Sequence, residues 1–167
     1  MKEILNDARI DPDEPCVQFR YDDDDAVSVD FIEKLRNSAQ KSLPFLWGNR
    51  TLALDWNRGY VAEFGADGIK AAEVYRPYNV AALGMVIKGD CRTTIMNFAH
   101  EKIPQFMPAI SLPQKAMFVR SHHGSNDSRQ NMFKSVEVAP LTPAEETLFK
   151  DRFAIDADHV RQVFSSR

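Results

Sequence analysis

Cysteine and histidine are scarce in this chain: Cys16 and Cys91 are the two cysteines, and there are four histidines in 167 residues. Two cysteines cannot by themselves form a disulfide framework or a zinc finger. A basic excess is also missing. Twenty-one Lys and Arg against 24 Asp and Glu leave a net charge of −3. Nucleic acid is therefore not an expected partner unless a local basic patch forms. No apolar run reaches membrane-spanning length, so no membrane partner is expected. The first seven residues, Met1 to Asp7, lack the apolar core of a signal peptide, and the expectation is a soluble, cytoplasmic chain. Seven glycines and nine prolines, with 44% hydrophobic and 27% charged residues, exclude a collagenous or wholly disordered chain. A chain of this length can bury about two-thirds of its unfolded surface, so it needs no covalent staple.

The first 27 residues are acidic and weakly patterned, and they contain four consecutive carboxylates, Asp22 to Asp25. A calcium loop requires alternating ligands, a central glycine and a distal glutamate, none of which is in place. The run reads as an exposed acidic turn kept in water by mutual repulsion. Residues 1–27 are thus an acidic, weakly ordered segment, and 28–167 form a single α/β domain. The spacing of Phe31, Ile32, Leu35 and Ala39 predicts a helix capped by Ser28 or Asp30 and stopped by Pro44. Phe31, Ile32 and Leu35 should pack onto the central sheet.

Thr51 to Trp56 and Tyr60 to Phe64 alternate with period two around Asn57-Arg58-Gly59, which predicts a hairpin. The apolar run Val80 to Ile87 suits a buried strand. A helix opening at Thr93 or Thr94, with Ile95, Phe98, Ala99 and Ile103 inward, should end at Pro104, and Ala116 to Val119 reads as a second buried strand. Thr142-Pro143-Ala144-Glu145 is a capping box with proline at the first helical position. Asp156 should cap a last short helix. This order predicts a mixed sheet with flanking helices and one strand–helix–strand unit at its centre.

If those two buried strands run parallel, the loops that follow them open on one sheet edge. One loop carries Gly89-Asp90 and the other carries His122-His123-Gly124-Ser125. Aspartate and histidine at converging strand ends make a metal-ligand pair, or a base and its orienter. Asp90 can equally cap the following helix, and the histidines can equally satisfy turn carbonyls.

These pieces, Gly84 to Asp90 and Ala116 to Ser125, resemble the C-terminal half of metallo-β-lactamase-fold hydrolases, in the branch related to ComEC/Rec2 DNA-uptake proteins. Asn49 to Leu54 is similar, more weakly, to the strand that precedes the Gly-Asp there. The resemblance implies a partial αββα layer domain with Asp90, His122 and His123 as catalytic and metal-binding residues. It also implies zinc and metal-assisted hydrolysis of an ester or phosphoester, with bound water as nucleophile. The early His-x-His-x-Asp-His motif of that family is missing, since no histidine precedes His100. An active site would then require a protein partner supplying the complementary half, unless the chain is a degenerate homologue. The alternative function is a non-catalytic protein-interaction domain.

Overall fold

The computed structural model describes residues 2–122 and 136–166. The chain opens with a short helix, α1 (Lys2–Asp7), and the strands β1 (Cys16–Phe19) and β2 (Asp25–Val27). Helix α2 (Phe31–Ser42) follows, then β3 (Thr51–Asp55), β4 (Arg58–Gly65), β5 (Gly68–Tyr75) and β6 (Leu83–Ile87). After β7 (Ala109–Ser111) and β8 (Phe118–Ser121) come β9 (Ala139–Pro140) and the helices α3 (Pro143–Phe153) and α4 (Ala157–Ser165). Among the described residues the strands form two mixed sheets, ordered β1-β6-β3-β7 and β2-β8-β4-β5-β9.

The expected mixed α/β class is present, but the sheet is double. Side-chain alternation explains how one chain serves both sheets. Leu52, Leu54 and Val86 of the first sheet and Val61, Val74 and Phe118 of the second bury into one shared core with Phe31, Leu35 and Ala39 of α2. Their sequence neighbours point the opposite way, as successive strand residues must. Ala53, Met85 and Ile87 pack under Ile95, Ile103 and Met107. Ala62, Ala71 and Val119 pack under Phe149, Phe153 and Ala157 of the C-terminal helices. Trp56 sits in the shared core with its ring 5.6 Å from that of Phe31, edge to face.

Several local expectations hold. Helix α2 begins after Asp30 and buries Phe31 and Leu35. Ile32, expected to pack with them, is 50% exposed because it lies off the buried stripe. The Thr142–Glu145 capping box opens α3, and the Asp156 side chain accepts from the amides of Asp158 and His159 at the start of α4.

Three others are corrected. β3 and β4 are not a hairpin; the chain leaves the first sheet at Trp56 and enters the second at Arg58. The hairpin partner of β4 is β5, with Gly65 opposite Gly68. The region after Thr94 forms two 3-10 stretches, Ile95–Asn97 and His100–Gln105, rather than one α-helix. Finally, β6 and β8 are not parallel neighbours: β6 is antiparallel to β1 and β3, whereas β8 lies in the other sheet, parallel to β4. Residues 1–27 are built in at both levels, since β1 edges the first sheet and β2 edges the second.

The β4–β8 junction is tight. A Cβ placed on Gly59 would come within 2.5 Å of both the Phe118 ring and the Phe118 carbonyl oxygen. At Gly84 the nearest atom, also at 2.5 Å, is the tip of the Leu35 side chain. A side-chain tip can rotate away and a paired backbone carbonyl cannot. Gly59→Ala should therefore cost on the order of 3 kcal/mol or more, and Gly84→Ala clearly less. Urea midpoints for the two variants check this; equal losses would contradict the distinction.

Candidate functional site

The exit of β8 gathers polar side chains from three strands. In the antiparallel β2–β8 register Asp25 stands opposite Arg120, and in the parallel β4–β8 register Ala62 stands opposite Ser121. The backbone amide of His122 donates to the Ala62 carbonyl at 2.8 Å, which holds the first residue past the strand. The His122 Nδ1 lies 3.3 Å from Oε1 of Glu63. The Ser121 hydroxyl donates to Asp24 Oδ2 at 3.4 Å. The Asp22–Asp25 run thus closes over the end of β8, in a turn where the Asp25 amide donates to the Asp22 carbonyl. Tyr21 Oη donates to the Asp25 carbonyl at 2.6 Å and fixes the turn from below.

This corrects the expectation that all four carboxylates stay in water. Asp23 and Asp24 are exposed, but Asp25 is only 7% exposed. Its carboxylate meets the Arg120 guanidinium at 3.6 Å, and neither oxygen has a hydrogen-bond partner among the described residues. Burial pushes the Asp25 carboxyl up to about 7; Arg120 draws it down, and the charges of Asp24 and Asp22 add to the rise. A buried carboxylate that the fold leaves without hydrogen bonds costs stability, and such groups concentrate at functional sites.

Beside these residues an open groove of about 250 Å³ is lined by Asp23, Asp24, Asp25, Ala26, Phe64, Val119 and Ile155. One wall is carboxylate and the other hydrocarbon. Its volume lies just below that of sites for drug-sized ligands.

Asp90 is elsewhere. It occupies the turn after β6, in the other sheet, with φ of 65°. Its amide donates to the Pro12 carbonyl at 2.9 Å, and its exposed carboxylate lies 3.6 Å from Arg50. Asp90 and His122 therefore end strands of different sheets rather than neighbouring strands of one, and each is held by other partners. The physical reason is the sheet switch: the chain lays down β7 beside β3 before crossing to β8. His123, Gly124 and Ser125 lie outside the described residues. Among the described residues, no three His, Cys, Asp or Glu side chains gather as a ready metal site. No helix among them is long and apolar enough to cross a membrane.

A second buried carboxylate belongs to the scaffold. Asp55, at the end of β3, is fully buried; it accepts from the Tyr78 amide at 2.9 Å and the Ser111 hydroxyl at 3.3 Å. Burial raises its carboxyl to about 6, against the pull of those two donors.

A mixed two-sheet domain with an acidic turn folded over a parallel strand end describes the class. The family model described as "Putative rhamnosyl transferase" matches residues 1–135, well over half of the chain, and the chain belongs to that family. No curated protein and no solved structure matches it. The metallo-β-lactamase resemblance is thereby overturned, and with it the hydrolase chemistry, while the non-catalytic alternative gains no support. The match covers the Gly-Asp and His-His-Gly-Ser stretches that suggested it. Sequence reasoning singled out His122 but passed over Asp24 and Asp25. The available signal was their position, directly between the strand-like Val17-Gln18-Phe19 and Ala26-Val27.

Both raised carboxyls bind protons more tightly folded than unfolded, so each favours the folded state at low pH. That contribution is lost as pH rises from the usual 3.8 to about 7 for Asp25 and to about 6 for Asp55. Asp25→Asn and Asp55→Asn should each gain stability over the native chain as pH climbs through that window. The gain should be on the order of 3 to 4 kcal/mol, larger for Asp25, and level above the window. Thermal melts from pH 4 to 8 in chelator-containing buffer test this. A difference that is the same at pH 4 and pH 8 would rule it out.

Proposed function

We propose that the chain is a sugar-transferring domain that moves a rhamnosyl group from a donor carrying a diphosphate leaving group to an acceptor hydroxyl. One observation carries this reading. The family match spans both the Asp22–Asp25 run and the Arg120–His122 strand end, and the fold sets these two segments against each other.

The chemistry is a displacement at the anomeric carbon. The acceptor oxygen forms the new glycosidic bond, the bond from that carbon to the diphosphate oxygen breaks, and the nucleoside diphosphate departs with the electron pair. The acceptor proton passes to the protein. Glu63, half-exposed and 3.3 Å from His122, is the carboxylate placed to take it, with the imidazole fixing its orientation.

Charge supports the assignment of the acidic turn. A diphosphate cannot approach Asp22 to Asp25 directly, since like charges repel at short range. Magnesium-type cations bind through one or two carboxylates and complete their shell with substrate phosphates and water. The exposed carboxylates of Asp23 and Asp24 fit that demand, and a site of this kind needs no preassembled three-ligand cluster. A divalent cation held there would neutralise the departing diphosphate. Arg120 stands behind Asp25, 3.6 Å from its carboxyl, and partly offsets the burial that favours its protonated form.

The test is release of nucleoside diphosphate from nucleotide-activated rhamnose, with and without magnesium or manganese. Asp24→Asn should lower the rate by about 100-fold or more with the fold intact. Glu63→Gln should lower kcat by about 100-fold with little change in KM. Release that proceeds equally in both variants would remove these residues from the mechanism. No release from any rhamnosyl donor would remove the reading itself.

A further inference from the structure

The last turn of α2 runs into a 3-10 stretch, Leu43–Trp47, where Pro44 lacks the amide that would continue the α-helix. Of the five residues in this stretch only Leu46 is buried, and it anchors the turn in the core shared by both sheets. Leu43, Phe45 and Trp47 are 38%, 55% and 91% exposed. Single exposed apolar residues are ordinary, but three large ones on one short turn mark an interaction surface. The turn is fixed from both ends. The Leu43 amide donates to the Gln40 carbonyl, and the Asn49 side-chain amide donates to the Phe45 carbonyl at 3.0 Å.

Charge around the turn runs against that of the chain. The whole chain carries −3, yet between Glu33 and Asp55 it holds Lys34, Arg36, Lys41 and Arg50 and no carboxylate. Lys34 is engaged by Asp30, and Arg50 lies 3.6 Å from Asp90. Arg36 and Lys41 are exposed and make no ion pair among the described residues. Arg36 precedes Leu43 by about two helical turns and so shares its face. Lys41 stands in the last turn of α2, directly before the apolar stretch.

We propose that the Leu43–Trp47 turn docks the chain on a lipid surface carrying anionic headgroups. Phe45 and Trp47 enter the headgroup boundary, and Arg36 and Lys41 meet the negative charge around them. Tryptophan suits that depth, because its ring is apolar and its N–H is a donor. Size argues against a protein partner. A stable protein interface draws on about 20 to 30 residues a side, which one projecting turn does not supply. Attachment to a bilayer needs only buried apolar tips backed by basic charge. The expectation of no membrane partner rests on spanning length alone, and surface attachment requires no spanning helix. The proposal stands independently of the transferase reading.

The test is co-sedimentation of the full chain with phosphatidylcholine vesicles, with and without phosphatidylserine, at low and high salt. The native chain should bind the phosphatidylserine vesicles, come off them at high salt, and bind pure phosphatidylcholine about tenfold more weakly or less. Binding should move tryptophan emission to the blue. Trp56 is already buried, so Trp47→Phe should abolish that movement. Trp47→Ala should weaken binding about tenfold or more. Arg36→Gln and Lys41→Gln should each weaken it about fivefold. All three side chains are exposed, so thermal melts should match the native chain. Tyr75→Ala removes a ring 58% exposed beside Arg58 in the second sheet, and should bind as the native chain does. No binding to phosphatidylserine vesicles at low salt, equal binding to both kinds of vesicle, or binding unmoved by Trp47→Ala overturns the proposal. Self-association of the lipid-free chain that Trp47→Ala abolishes also overturns it, and makes the turn an interface between copies.

Discussion

The parallel pairing of β4 with β8 is the interaction on which the rest of the candidate site depends. It threads Phe118 against Gly59 and sets Ser121 level with Ala62. That register brings His122 beside Glu63. It also gives β2 a central strand to pair with on its free side, which carries Asp25 onto Arg120. Slipping the register by one residue would turn Arg120 and His122 to the opposite faces and separate every pair named here. The interdigitated ring of Phe118 opposes such a slip, because it is fully buried in the core shared by both sheets.

That shared core makes a costly site tolerable. Asp25 is buried without hydrogen bonds to its oxygens, opposite a nearly buried arginine. An ion pair in such surroundings adds little net stability, because desolvation offsets attraction. Asp55, the comparable carboxylate of the first sheet, receives an amide and a hydroxyl instead. The contrast separates two uses of a buried acid. One is satisfied by its own fold and ties β3 to the segment before β6. The other is sealed from solvent against an arginine, with its acceptor capacity unmet by hydrogen bonds.

What the sequence revealed, and what it concealed, follows from the range of the interactions concerned. The capping box at Thr142, the Asp156 cap and the apolar stripe of α2 are local, and each was legible from spacing alone. Period-two alternation identified β3 and β4 but cannot say which sheet a strand joins, so a hairpin was expected where the chain changes sheets at Trp56. The same blindness turned β6 and β8 into parallel neighbours and placed Asp90 opposite His122. A buried strand ending in a tight turn with a polar residue is a common local solution, so Gly89-Asp90 and His122-His123 carried less family information than they seemed to. The acidic run was misjudged for a related reason. Four adjacent carboxylates repel one another in any isolated segment, and only the long-range β2–β8 pairing removes Asp25 from water.

The family match ends at residue 135, yet the domain does not end there physically. The outer face of the second sheet presents Ala62, Ala71 and Val119, and these are covered by Phe149, Phe153 and Ala157. Tyr60 of β4 stacks with Phe149 and Phe153 at 5.0 and 6.0 Å between ring centres. β9 pairs with β5 and covers its outer edge, a position otherwise open to pairing with other chains. Without α3 and α4 that sheet face would lie bare. Ile155, in the short link between those helices, then reaches the groove that the acidic turn lines from the other side. The matched region thus supplies the charged wall and most of the strand framework, while the segment beyond it supplies the cover and one edge of the cleft.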